Sequence, residues 1–176
     1  MAGVNQAQTA LSQTDATLSR RLSHAVPLIV LALAALAMIY PVLNELTTRI
    51  IGWPGDNIQY VYAAGWMAEA ARGGVSPFVD WRINTPQGMA LLATDVPYVG
   101  YLAVAPLTWL FGAVFGYNAQ LALAHFLSGV CAYLWIAHLT GSRAGGLVAG
   151  LAFMLSPFRL AQSYRHPQIV TTYPLP

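Results

Sequence analysis

The chain has 176 residues, 57% of them hydrophobic and only 8% charged, where an ordinary soluble domain carries about 25% charged residues. That leaves too little polar surface for a soluble globule and points to a membrane protein. Net charge is +2, with eight Arg and no Lys, so no polybasic arm or acidic tail marks nucleic acid as a partner. The one cysteine, Cys131, sits in an apolar run and excludes both a disulfide framework and a cysteine-based metal site.

Residues 1–23, rich in Ser, Thr, Gln and Ala and weakly charged, read as a disordered cytoplasmic tail. The uncharged run Ala25 to Leu43 lacks a small-x-small cleavage site before Glu45. It is also longer than the roughly 7–15 residues of a signal-peptide core, and predicts a first transmembrane helix over about 25–44. Arg20, Arg21 and His24 precede it, which by the positive-inside tendency keeps the N-terminus cytoplasmic and places Asp56 outside.

A wetter interval from Asn44 to Asp95 follows, holding five of the six acids. Within it Ile58, Tyr62, Trp66 and Ala70 recur at helical spacing until Gly73-Gly74, predicting an interfacial helix over about 57–72. Asp56, with Gln59 three residues on, has the pattern of a capping box at its start. Pro77, Pro86, Gly88 and Pro97 then break the chain into a structured loop, in which Asp80 and Arg82 form a local polar turn and Asp95 marks another.

Two apolar segments, Tyr98 to Phe115 and Asn118 to Leu139, meet at Gly116-Tyr117-Asn118. The second predicts a span over about 118–139; charge counting leaves open whether the first crosses. His125, on an otherwise apolar helix, is expected to bond a neighbouring helix. The small-residue run from Ala144 predicts a third span over about 144–160, where Gly146 and Gly150 permit close helix contact. A further apolar segment begins at about 168–176, so the sequence reads as the front piece of a longer polytopic protein. Its fold class is all-α, a transmembrane bundle with interfacial helices in a large first external loop, the domain proper covering 24–176.

"PGDNIQY" around Asp56, "TDVPYVGYLAVAPLTWLFGAVFGYN" and "SGVCAYLWIAHLTGSRAGGLVAGLAFMLSPFRLAQSYRH" follow one another in an order that resembles the N-terminal module of the GT-C superfamily. These are membrane glycosyltransferases that use lipid-phosphate-linked sugars. The resemblance implies a functional Asp at the start of the first external loop, a juxtamembrane helix over about 97–114 that does not cross, and a second external loop after the third span. It makes Asp56 the base that takes a proton from an acceptor hydroxyl. Arg159, Arg165 and His166 would hold the phosphate of a polyprenyl-phosphate donor, their plainer role being that of interfacial anchors. Trp53 or Trp66 would stack on a sugar, and the acceptor would be a glycan, lipid or protein.

Members that bind a metal place an acid in the second external loop; here no acid stands there, so the resemblance lies with metal-independent members and implies no cofactor. The expected location is a bacterial plasma membrane. The competing reading is a non-catalytic polytopic protein, a transporter or flippase, whose charged loops only anchor it and leave Asp56 and His166 on opposite faces.

Overall fold

The computed structural model describes residues 24–171; the tail read at 1–23 and the last apolar segment beyond 171 lie outside them. The described chain is helical apart from one short antiparallel pair. Three of its helices are long and apolar enough to cross a membrane: His24–Glu45, Ala113–Thr140 and Arg143–Arg165.

The first, α1 (24–39), runs into a 3-10 turn at Tyr40–Glu45, where Pro41 is tolerated because the first turn needs no donor. Helix α2 (Asp56–Gly73) ends at Gly74, whose positive φ lets its N–H reach back to Ala70 and Ala71. Strands β1 (Val79–Asp80) and β2 (Met89–Ala90) pair within the following loop. Helices α3 (Tyr98–Phe111) and α4 (Ala113–Thr140) follow, then α5 (Arg143–Met154), α6 (Pro157–Arg165) and the single turn α7 (Pro167–Val170).

The helix boundary expected at Gly116-Tyr117-Asn118 falls instead at Gly112, whose φ of 89° turns α3 back along α4. Gly116 packs so closely on Thr108 that a β-carbon would sit 2.1 Å from its hydroxyl. Tyr117 and Asn118 are therefore buried helical residues rather than a turn. A short polar triplet beside an apolar run looks like a break, yet here a tertiary role for its side chains replaces the turn. Helix α3, at 14 residues, is about 21 Å long, short of a hydrocarbon core of about 30 Å.

Contacts along α4 set the direction of everything else. At its late end Tyr133 meets His24 of α1 at 2.5 Å; at its early end Asn118 binds the carbonyl of Leu46, just past α1. Helix α1 thus runs antiparallel to α4. Helix α5 also runs back along α4, with Gly146 against Tyr133 and Ala137 and Gly150 against Gly129. Leu31 of α1, Tyr133 of α4 and Met154 at the end of α5 form the core of this three-helix unit. A second core joins α2, α3 and the first turns of α4 through Tyr60, Met67, Tyr101 and Tyr117.

The stripe Ile58, Tyr62, Trp66, Ala70 is not one face of α2. Ile58 and Tyr62 are exposed, while the buried face is Tyr60, Ala63, Ala64, Met67 and Ala70. The i, i+4 reading crossed from one edge of the helix to the other, because small alanines carry little periodic signal although they fill the α2–α3 contact.

Side chains built on Gly146 or Gly150 would lie 2.6 Å from the Tyr133 and Gly129 carbonyls respectively, within a helix pair that has no slack. Gly150→Val is expected to destabilise the bundle by about 1–3 kcal/mol, and Gly146→Leu at least as much. Unfolding of the purified protein in detergent measures this, with Val148→Ala on the exposed side as the unaffected control.

Candidate functional site

The connection from α1 to α2 is an irregular loop that satisfies its backbone through three side chains. The Asn118 amide donates to the carbonyls of Leu46 (3.0 Å) and Arg49 (2.8 Å), and its oxygen accepts from the Ile51 N–H (3.0 Å). Tyr117 donates to the Ile51 carbonyl at 2.9 Å. The Asn57 amide donates to the same carbonyl (3.3 Å) and to that of Tyr164 in α6 (3.2 Å), while the Trp53 N–H also donates to Tyr164 (2.9 Å). Gly52 makes this close approach possible: its φ is 107°, and a β-carbon would lie 2.2 Å from the Asn57 amide nitrogen.

The loop is thereby clasped to the end of α6, and the clasp brings Asp56 to His166. Asp56 Oδ2 lies 3.4 Å from His166 Nδ1, with both side chains about half exposed. Asp56 does not cap its helix: Gly55 occupies the cap position and no side chain bonds to the first N–H groups. The carboxylate instead sits in the first turn, where the helix dipole favours negative charge, with its oxygens turned outward. Trp53 is 70% exposed two residues before the loop reaches Gly55, and Arg165, next to His166, is exposed.

Two of the residues expected at the site are elsewhere engaged. Trp66 is only 8% exposed; its indole N–H donates to the Pro77 carbonyl (3.1 Å) and its ring lies 4.4 Å from the Arg82 guanidinium, so no sugar can stack on it. Arg159 is 5% exposed and turned inward, bonding the Ser128 hydroxyl and, at 2.6 Å, the Val170 carbonyl. It pins α7 to α4 rather than facing a headgroup. Sequence places it about two helical turns from His166 without saying which way an amphipathic turn points.

His125 behaves as its sequence context implied. Its Nδ1 lies 3.2 Å from the Met154 carbonyl and its Nε2 2.6 Å from the Ser163 hydroxyl, so it ties α4 to both α5 and α6. The Met154 carbonyl can only accept, which makes Nδ1 the donor. Arg159 and His125 together fix the α6–α7 corner on which His166 sits.

Three other acids, Glu69, Asp80 and Asp95, are engaged in side-chain contacts. Asp80 is fully buried and accepts from the Tyr62 hydroxyl (2.5 Å) and the Arg82 N–H (2.9 Å); Arg82 also meets Glu69 at 3.0 Å. The Asp80–Arg82 turn read from the sequence is present. Asp95 accepts from Tyr60 at 2.8 Å. Among the described residues no three His, Cys, Asp or Glu side chains converge to hold a metal ion, and a lone carboxylate and imidazole fall well short of the roughly six ligands a magnesium or calcium ion takes. The chain matches no known family model, no curated protein and no solved structure.

Replacing Asn118 by Ala removes the side-chain partner of two carbonyls and one N–H in a partly buried loop, a loss of at most about 1–3 kcal/mol for each group that water does not reach. The expected result is a lower unfolding temperature and new proteolytic cleavage between Leu46 and Asp56. A second expectation concerns alkaline pH. Burial, with the Asp95 and Asp80 carboxylates they bond, raises the phenols of Tyr60 and Tyr62 above their ordinary value. A raised phenol contributes stability that is complete below about pH 10 and lost as pH climbs beyond it. The α2–loop unit should therefore loosen above about pH 10, and Tyr60→Phe should weaken that alkaline dependence, as read by thermal unfolding across a pH series.

Proposed function

We propose that this chain is the N-terminal part of a GT-C type membrane glycosyltransferase, moving a sugar from a polyprenyl-phosphate donor to an acceptor hydroxyl at the outer membrane face. The observation that carries this reading is the Asp56–His166 contact, which unites an acid of the first loop with a base that follows the third candidate span. Such a pair serves the reaction directly. The acceptor oxygen attacks the anomeric carbon as Asp56 removes its proton, and the bond from that carbon to the phosphate oxygen breaks with its electrons leaving on the polyprenyl phosphate. The His166 ring, held beside Asp56, can donate an N–H to the departing phosphate, and the permanently charged Arg165 next to it in sequence adds a bidentate partner. Trp53 offers an exposed aromatic surface for the sugar.

Helix lengths favour the placement. The 28 residues of α4 extend about 42 Å, roughly 12 Å more than the hydrocarbon core. Its first two turns, which carry Tyr117 and Asn118, accordingly stand in the headgroup zone. Helices α2 and α3 then lie at the interface, presenting Ile58, Tyr62, Leu110 and Trp109 outward. A transporter or flippase reading expects Asp56 and His166 on opposite faces, and their 3.4 Å separation speaks for the enzyme.

In the full-length protein Asp56→Asn is expected to lower transfer at least 100-fold, the lower range of general-base contributions being about that size, with membrane insertion unchanged. His166→Gln is expected to lower it less and to raise KM for the donor. Radiolabelled sugar transfer in proteoliposomes measures both, and a fully active Asp56→Asn protein would remove the proposal. Sidedness is separately testable: with Cys131 replaced by Ala, cysteines at Ile58 and Tyr164, both exposed, should react with an impermeant thiol reagent from the same side.

A further inference from the structure

The opposite end of the bundle carries a feature that the proposed reaction does not use. His24 at the start of α1, His138 in the last turn of α4, Gly141 and Arg143 at the start of α5 line one cleft of about 730 Å³, completed by Leu134 and Ala137. Its polar lining is basic, and none of its lining residues is an acid. Among the described residues Arg143 and His138 pair with no carboxylate, and both are exposed. His24 is positioned by its Nδ1, which lies 2.5 Å from the hydroxyl of the fully buried Tyr133, so its Nε2 remains available to a ligand.

The position of this cleft is set by the helices. It lies where one candidate span ends and two begin, some twenty residues along α4 from Asn118, about 30 Å at the helical rise. That is the thickness of the hydrocarbon core, so the cleft opens at the membrane face opposite the Asp56 loop. A concave basic site at a membrane face has one abundant chemical complement, a phosphate.

We infer that the His24–His138–Arg143 cleft binds a phosphate group, the phosphodiester of an anionic lipid headgroup in the leaflet opposite the Asp56 site. Arg143 supplies the permanent, bidentate contact, and the two imidazoles donate from either side. The volume exceeds what a phosphate needs and fits a whole headgroup. The site is independent of glycosyl transfer and stands or falls without it.

The test uses the full chain in nanodiscs of phosphatidylcholine, with phosphatidylglycerol titrated in, and a parallel arm of phosphatidylcholine discs with millimolar inorganic phosphate. Lipid retained on the protein is read by native mass spectrometry and stability by thermal unfolding. Phosphatidylglycerol should be retained and should raise Tm. The double change His138→Gln with Arg143→Gln should weaken that retention about tenfold or more, given the strength of charge-assisted bonds. Arg143→Lys, which keeps the charge, should retain most of it and guards against a folding defect.

If inorganic phosphate alone reproduces the rise in Tm, and the double variant abolishes it, the phosphate site stands and its ligand is free phosphate. Equal retention of phosphatidylglycerol by the wild-type and doubly substituted proteins, or no response to either anion, would overturn the inference.

Discussion

One side-chain amide holds the architecture of the α1–α2 connection. Asn118, projecting from the early turns of α4, takes two carbonyls and one N–H of an irregular loop, groups that the loop's own backbone does not satisfy. An unpaired backbone group costs about 1–3 kcal/mol wherever it is shielded from water. The loop therefore has one economical conformation, and Tyr117 and Asn57 complete it. Because Asn57 and Trp53 also reach the Tyr164 carbonyl, satisfying the loop and docking it on α6 are one event. The Asp56–His166 contact is a consequence of that docking.

The other half of the site is held by a chain of polar contacts inside the bundle. His125 joins α4 to the end of α5 and to Ser163 of α6, and Arg159 joins α6 to Ser128 and to the end of α7. Between these ties lies the corner Arg165-His166-Pro167. Small residues permit them: with Gly129, Gly146 and Gly150 at the α4–α5 contact, the two helices lie close enough for an imidazole to span the gap. The apolar packing of the spans and the polar positioning of the site are thus coupled through α4, which packs against α1, α2, α3, α5 and the turn that ends in Val170.

This arrangement divides the ionisable groups by function. Glu69, Asp80, Arg82 and Asp95 are consumed in holding the loop after α2 to its own tyrosines and to Trp66. Asp56 is spared: Gly55 takes the cap position, so the carboxylate is free of helix duty and available to His166. At the far end, His24, His138 and Arg143 pair with no acid among the described residues. The molecule has an acid–base pair at one end of its spans and a purely basic cleft at the other, and the polarity follows from where each helix begins and ends.

Much of this was legible in the chain itself. A charge content of 8%, the uncharged run before Glu45 and the breakers after Gly74 pointed to a helical class with apolar segments of membrane-crossing length and an acid-bearing loop after the first, and three helices of that length are present. Local chemistry such as the Asp80–Arg82 turn was also readable, because two residues in sequence suffice to make it. What only the tertiary structure decided were the directions of side chains on short helices and the uses of isolated polar groups. Arg159 and Arg165 are alike in sequence, yet one is buried and the other exposed. Trp66 and Trp53 divide in the same way, and Tyr117-Asn118 became a clamp rather than a turn. Composition records how much polar surface a chain has; which partner satisfies each buried group depends on distant segments meeting, and no local pattern encodes that meeting.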